Sequence, residues 1–396
     1  MSSRKHKCCV SMQWAGPTFS TSYTARDLNS TVPLESVRGK PLKIMTCFEM
    51  VSPVINLAKY YDHIEETVVS TSPFLGVAMT SERKPAHTFL RFPVSEPAHG
   101  CLWHSACETG KVDLLLADHT VSKGSRVNEF KTYLRVGKPS RVIVFTSDGK
   151  HNAIVKASLT EAGYPEPHVS SYNACDLGLP RVQDLYVISS RYGVSLDAFG
   201  MDMQEIVDGM GKKAVAIESL CASVSDELVR GWAQMPKRTE SSKDVDEYNN
   251  HMEYLRNCKL LPNDAVIPGS VVVTGALSGR GRAQVGLLTH HMRKVSARVG
   301  FTSFGNKDSL EMCYVDGSMP NVPPGGKTAV LAVADGETYR VTLLTSPHLL
   351  ALQGYDPLLY NCAVCPTSAV SDALSRATPF QLVLAAFAAA LRVDQA

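Results

Sequence analysis

The stretch Val112-Asp-Leu-Leu-Leu-Ala-Asp-His-Thr-Val-Ser-Lys123 sets an acid, an imidazole and hydroxyls directly after an apolar run. Such a run, ending in a polar turn without glycine or proline, predicts a central strand of a parallel sheet at Val112–Leu116. In sheets of that kind chemistry sits just beyond the carboxyl ends of the strands, here the loop Ala117–Lys123. Asp118 beside His119 could orient a general base. With no nucleophile beside it, His119 reads as a surface-loop histidine. Asp113, at the start of the strand, is expected to tether a neighbouring backbone rather than react.

The eleven cysteines are dispersed and mostly lie in apolar segments, which predicts free thiols in a reducing compartment. Cys101 and Cys107 lie just upstream of the central strand, where either could be a displaced nucleophile or a packing residue. Cys362-Ala-Val-Cys365 has the spacing of a metal knuckle but no second pair nearby, so it reads as two packed thiols. No metal is expected.

Net charge is +2, with 44% hydrophobic and 20% charged residues, so nothing global demands a nucleic-acid partner. A local feature does. Between Gly269 and Lys307 the chain carries Arg280, Arg282, Arg293, Lys294, Arg298 and Lys307 and no acid. That island is either a footprint for phosphates or the solvated face of a small β domain. Gly279-Arg-Gly281 within it lacks dinucleotide-fingerprint spacing, and no helix pattern is read after it.

Positioning these groups falls to alternating strands and helices. Strands are predicted at Leu42–Phe48, Glu66–Ser70, Val112–Leu116, Arg141–Phe145, His168–Asn173 and Leu185–Ser189. Helices are predicted at Ser52–Tyr61, Pro73–Thr80, Val127–Val136 and Asn152–Ala162, a pattern of doubly wound α/β type. Then come a Gly- and Met-rich Gly200–Lys213, a short helix at Val224–Trp232, a charged linker at Lys237–Asp246 and a strand at Ser270–Thr274. Apolar helices close the chain at Pro347–Gln353 and Pro379–Leu391, the latter too short and Ala-rich to span a bilayer. The domains expected are a basic tail at 1–38, disordered or a transit segment, a first unit of 39–205 plus 341–396, and an inserted unit at 206–340.

Several separated stretches, in order, resemble the motifs of cytosine-5 DNA methyltransferases. Thr342-Leu-Leu-Thr-Ser-Pro-His-Leu-Leu-Ala-Leu-Gln-Gly-Tyr-Asp356 resembles the family's LT-x-RE-x-x-x-LQGFP segment. Tyr172-Asn-Ala-Cys-Asp-Leu-Gly-Leu-Pro-Arg-Val-Gln-Asp-Leu-Tyr-Val-Ile188 follows its VPQ-x-R-x-R region. Lys138-Pro-Ser-Arg-Val-Ile-Val-Phe145 with Glu161-Ala-Gly-Tyr164 mirrors KPK…L-x-x-x-GY, and Arg376-Ala-Thr-Pro379 sits where GNAVP is expected. The resemblance covers roughly 40–205 and 335–396. It implies a Rossmann-like, S-adenosylmethionine-dependent methyltransferase fold with a smaller target-recognition-like domain inserted.

The departures from that family fall on its functional positions. Val121, preceded by Thr120, stands for the Pro-Cys nucleophile, and a valine cannot add to C6 of cytosine. Thr146-Ser-Asp148 replaces Glu-Asn-Val, while Gln183 and Leu185 replace the paired arginines. On the cofactor side, Phe48-Glu-Met-Val-Ser-Pro53, including Met50 and Ser52, has no glycine for close approach, and Ser70 replaces the ribose acid. The reading is therefore a catalytically inactive methyltransferase-like protein with no bound cofactor. It would bind nucleic acid through Arg280, Arg282, Arg293, Lys294 and Arg298, together with a protein partner such as an active methyltransferase or a ribonucleoprotein. No membrane role is expected, and an intracellular site is, in the nucleus or an organelle. The alternative is an active DNA or RNA cytosine-5 methyltransferase using S-adenosylmethionine with a displaced nucleophile.

Overall fold

A computed structural model describes residues 41–47, 52–61, 63–70, 85–179, 184–195, 197–210, 220–221, 224, 241–274, 277–303, 313–315, 329–360 and 378–395, with Gln13–Trp14. Its first sheet has seven strands: β1 (Leu42–Cys47), β2 (Ile64–Val69), β3 (His87–Phe89), β6 (Leu114–Asp118), β7 (Arg141–Thr146), β8 (His168–Asn173) and β9 (Asp184–Arg191). A small hairpin of β4 (Ala98–His99) and β5 (Ala106–Cys107) lies between β3 and β6. The order is β3-β2-β1-β6-β7-β9-β8, with β9 antiparallel to both neighbours and every other pair parallel.

Side chains alternate between two buried faces. Ile44, Leu114, Leu116, Ile143 and Phe145 enter one cluster, and Met45, Leu115, Ala117, Val142 and Val144 enter the other. Burial on both faces is why these strands read as unbroken apolar runs. The first face is covered by the turn α1 (Val54–Leu57), and the second by α2 (Arg126–Gly137) and α3 (Gly149–Glu161). α4 (Phe199–Gly209) and the terminal α8 (Phe380–Gln395) also cover the first face. Phe380 to Ala390 is buried throughout, and each large side chain there contributes roughly 1.5–3 kcal/mol.

The second sheet holds β10 (Ser270–Thr274), β11 (Val299–Ser303), β12 (Cys313–Val315), β13 (Ala329–Asp335) and β14 (Thr338–Leu344), with Gln13–Trp14 at its edge beside β12. Phe301, Ala329 and Leu331 join the hydrophobic cluster of the first sheet. On the other face Val330, Ala332 and Val341 pack with α5 (Ser242–Asn257) and α6 (Gly279–Lys294). One cluster thus runs through both sheets. After β14 the chain forms α7 (Ser346–Leu352) and comes back against the turn α1. There Asn56 donates to the Tyr360 hydroxyl at 2.5 Å, Tyr360 donates to the Ser52 carbonyl at 2.9 Å, and Lys59 pairs with Asp356.

Several sequence expectations need correction. The central strand is Leu114–Asp118 instead of Val112–Leu116, because pairing with β1 and β7 holds the backbone extended as far as Asp118. The loop expected from Ala117 is therefore strand end followed by a 3-10 turn. The helix expected over Ser52–Tyr61 is a single turn, Val54–Leu57. The charged linker ends early: Ser241 and Asp244 make a reciprocal cap that starts α5 at Ser242. A helix does follow the Gly-Arg-Gly segment, because Ser278 caps it by accepting from the Gly281 N–H at 3.1 Å. Outside the described residues lie the helix expected at Pro73–Thr80, all but the first residue of Val224–Trp232, Phe48, Met50, Gln183, Cys362–Cys365 and the basic tail apart from Gln13–Trp14. Among the described residues no helix is long and apolar enough to cross a membrane.

Candidate functional site

From β1 the chain builds outward to β2 and β3 on one side, then crosses to β6 and β7 on the other. The switch point lies between the carboxyl ends of β1 and β6, at Cys47 and Asp118, where an open α/β sheet offers its ligand crevice. Asp118 is buried there and accepts from the backbone N–H of Thr120 at 2.9 Å and from its hydroxyl at 2.5 Å. Those bonds wind His119–Ser122 into the 3-10 turn. Asp118 is thus the cap of that turn. Asp113 does tether a backbone, accepting from the Lys43 N–H at 2.9 Å.

The position assigned to the nucleophile, Val121, is 3% exposed and packed among apolar residues over the second face of the sheet. Cys47 is the cysteine at the end of β1. Burial, and then the charge of Asp118, push its thiol well above the ordinary cysteine range, and it packs in the same apolar cluster. It is therefore a protonated core thiol rather than a nucleophile. Ser122 comes closer to a reactive pair, with Oγ 2.7 Å from Nδ1 of His151 and the His151 ring 5.3 Å from that of His119. A hydroxyl has one proton, however, and Ser122 donates it to the His119 carbonyl at 2.6 Å. With that bond made, the Ser122 oxygen faces His151 as an acceptor, and the tautomer of the imidazole sets the second bond.

The remaining family positions that lie among the described residues also make structural contacts. Thr146 is buried and donates to Oδ1 of Asn152 at 2.5 Å, and Leu185 is a core residue of β9. The Ser52 hydroxyl donates to Glu66 and accepts from the Val54 N–H at 3.2 Å. Glu66, which the sequence reading passed over, is a buried carboxylate that also accepts from Thr46 at 2.8 Å. Ser70 is buried just past β2.

The basic island is divided. Arg280 and Arg282 are half-buried in the first turn of α6; Arg282 lies 5.5 Å from the Tyr248 ring centroid and donates to the Asp244 carbonyl at 3.4 Å. Arg293, Lys294 and Arg298 are exposed at the far end, roughly 16 Å along the helix axis from Arg282 to Arg293. Among the described residues of the island, that carboxyl-terminal group is the more exposed of the two, and it also complements the helix dipole.

A second constellation lies on the edge of the first sheet. His87 on β3 and Cys101, His104 and Cys107 on the β4–β5 hairpin bring one ligand atom each to within 4.8 Å of one another. The sequence signal was available as Cys101-Leu-Trp-His104-Ser-Ala-Cys107, but the cysteines were weighed there only as nucleophiles or core residues.

No protein-family model matches the chain, and no curated protein matches it in sequence. Solved structures do. A protein encoded within an E. coli prophage and assigned as a DNA modification methyltransferase superposes with a TM-score of 0.50 at 11% identity, covering 90% of this chain and 100% of that one. S. pombe Dnmt2 methyltransferase gives 0.41 at 10%, with 89% and 98% covered, and the Entamoeba histolytica methyltransferase EhMeth gives 0.43 at 9%, with 90% and 100% covered. At 11% identity the likeness is one of fold: the chain shares the Rossmann-like α/β fold of the prophage-encoded structure.

Proposed function

We propose that this chain uses a methyltransferase fold for binding, and that it neither transfers a methyl group nor holds S-adenosylmethionine. The observation that carries this reading is Val121, an apolar side chain buried where the resemblance calls for a thiolate. Cytosine-5 transfer needs a nucleophile to add to the base before the ring can attack the methyl group. The cysteine at the end of β1 supports the same reading, since Cys47 is a protonated core thiol. For the cofactor, the donors described at the ends of β1 and β2 are a poor fit. Ser52 is bound to Glu66, and Ser70 offers a hydroxyl where a ribose diol is best held by a carboxylate.

Isothermal calorimetry should show no micromolar binding of S-adenosylmethionine, and a Val121→Cys chain should transfer no labelled methyl group to cytosine in DNA or RNA. Saturable donor binding, or transfer by the unaltered protein, would overturn the reading in favour of an active enzyme.

The ligand proposed for the exposed end of α6 is a nucleic-acid backbone contacted by Arg293, Lys294 and Arg298. Each phosphate neutralised contributes about −0.9 to the slope of log K against log salt for duplex DNA, so these residues predict about −2.7. Alanine at all three should bring the slope close to zero without changing the circular dichroism spectrum. A slope that is flat in the unaltered protein would point instead to a purely protein-binding subunit.

A further inference from the structure

Between β3 and β6, Phe92 and Val112 join the cluster on the second face of the sheet, but the stretch from Ala98 to Cys107 has little to hold it. β3 is three residues long, and β4 and β5 have two each. Its apolar cluster contains only Phe89, Ala98, Cys101 and Cys107 as buried members, with Trp103 against them. Backbone pairing adds the Phe89–Cys101 bridge and a bond from the Leu102 N–H to the Thr88 carbonyl at 2.8 Å. A core of this size recovers little against the cost of ordering the hairpin and its turn, which is where small units take a crosslink or a metal.

The polar groups inside it are of one chemical kind. Nδ1 of His104 lies 3.3 Å from the Cys107 sulfur and 3.8 Å from the Cys101 sulfur. The His87 ring centroid is 5.8 Å from that of His104, and Nδ1 of His87 is buried without a hydrogen-bond partner. An orphaned buried ring nitrogen is costly unless something accepts its lone pair or its proton.

We propose that His87, Cys101, His104 and Cys107 form a structural zinc site. A tetrahedral ion with bonds of about 2.3 Å to sulfur and about 2.0–2.1 Å to nitrogen holds its ligand atoms roughly 3.3–3.8 Å apart. The two sulfur–nitrogen distances fall in that interval, and the whole set needs only modest contraction. Two thiolates and two neutral imidazoles compensate a divalent ion, so binding releases the two thiol protons and leaves a neutral centre suited to a half-buried site. All four positions are taken by protein, which marks a structural rather than a catalytic zinc. A two-iron cluster with mixed ligands keeps imidazoles and thiolates on different metals, whereas here one imidazole nitrogen contacts both sulfurs. The ion would fasten the β4–β5 hairpin to the edge strand β3.

The full-length protein, expressed with zinc in the medium, should carry about one zinc per chain by plasma mass spectrometry. Exchange for cobalt should give the visible bands of a tetrahedral ion together with a thiolate charge-transfer band. Cys101→Ser with Cys107→Ser should lower the metal content about tenfold or more, and Cys258→Ser should leave it unchanged. Should the double variant fail to fold, chelator treatment of the unaltered protein decides: zinc loss should open residues 85–107 to limited proteolysis while the rest stays protected. A folded chain without stoichiometric metal, a Cys101–Cys107 disulfide by mass mapping, or metal retained in a folded double variant would each overturn the assignment.

Discussion

Asp197→Ala should cost about 3–5 kcal/mol of folding free energy, the typical loss when one member of a buried ion pair is removed. Arg141 opens β7 with its side chain wholly buried, and it meets Asp197 through both terminal nitrogens. Ser189 Oγ lies 3.2 Å from one of those nitrogens, and the guanidinium carbon lies 5.3 Å from the centroid of the Phe199 ring. Asp197 also accepts from the Phe199 N–H at 3.1 Å, so it both neutralises the guanidinium and holds the first turn of α4. Alanine leaves a positive charge inside the fold without its carboxylate, and that desolvation cost dominates the lost bonds. Urea unfolding followed by circular dichroism should show the loss. Arg141→Met combined with Asp197→Leu should recover most of it, since an apolar pair has no charge to desolvate. A loss below about 1 kcal/mol in the single variant would show that water reaches the guanidinium and that the pair is not buried in solution.

Gly279→Ala and Gly281→Ala should have opposite signs although they lie two residues apart in the same helix. In an exposed helix either change would gain up to about 1 kcal/mol from propensity and chain entropy. At Gly281 the nearest atoms to an added methyl are 3.5 Å away, in ordinary contact, so that gain should survive in part. At Gly279 the methyl would fall on the Asp244 carbonyl oxygen and lie 2.7 Å from the Tyr248 nitrogen, both backbone atoms of α5. Backbone cannot turn aside as a side chain can. The two helices must separate, at a cost of roughly 1–3 kcal/mol or more. Thermal unfolding should therefore lower Tm for Gly279→Ala and leave it equal or higher for Gly281→Ala. Equal destabilisation of both would remove close helix crossing as the reason for glycine at Gly279. The Gly-Arg-Gly segment would then need another explanation.

The pattern of apolar runs was enough to read the layered α/β architecture and most of its strands from Leu42 to Arg191. Burial on both faces leaves an unbroken hydrophobic signature that does not depend on which strand pairs with which. It was also enough to show that residue 121 is no nucleophile, because side-chain chemistry is local. Three-dimensional contact decided the rest. That Asp118 caps a turn, that Ser122 gives its proton to a carbonyl, and that the basic residues of α6 separate into two groups all follow from distances that spacing along the chain does not encode. The same holds for His87, fourteen residues before Cys101. Only the pairing of a short edge strand with a distant hairpin brings that imidazole to two sulfurs, and pairing is a property of the folded backbone, not of any local run of residues.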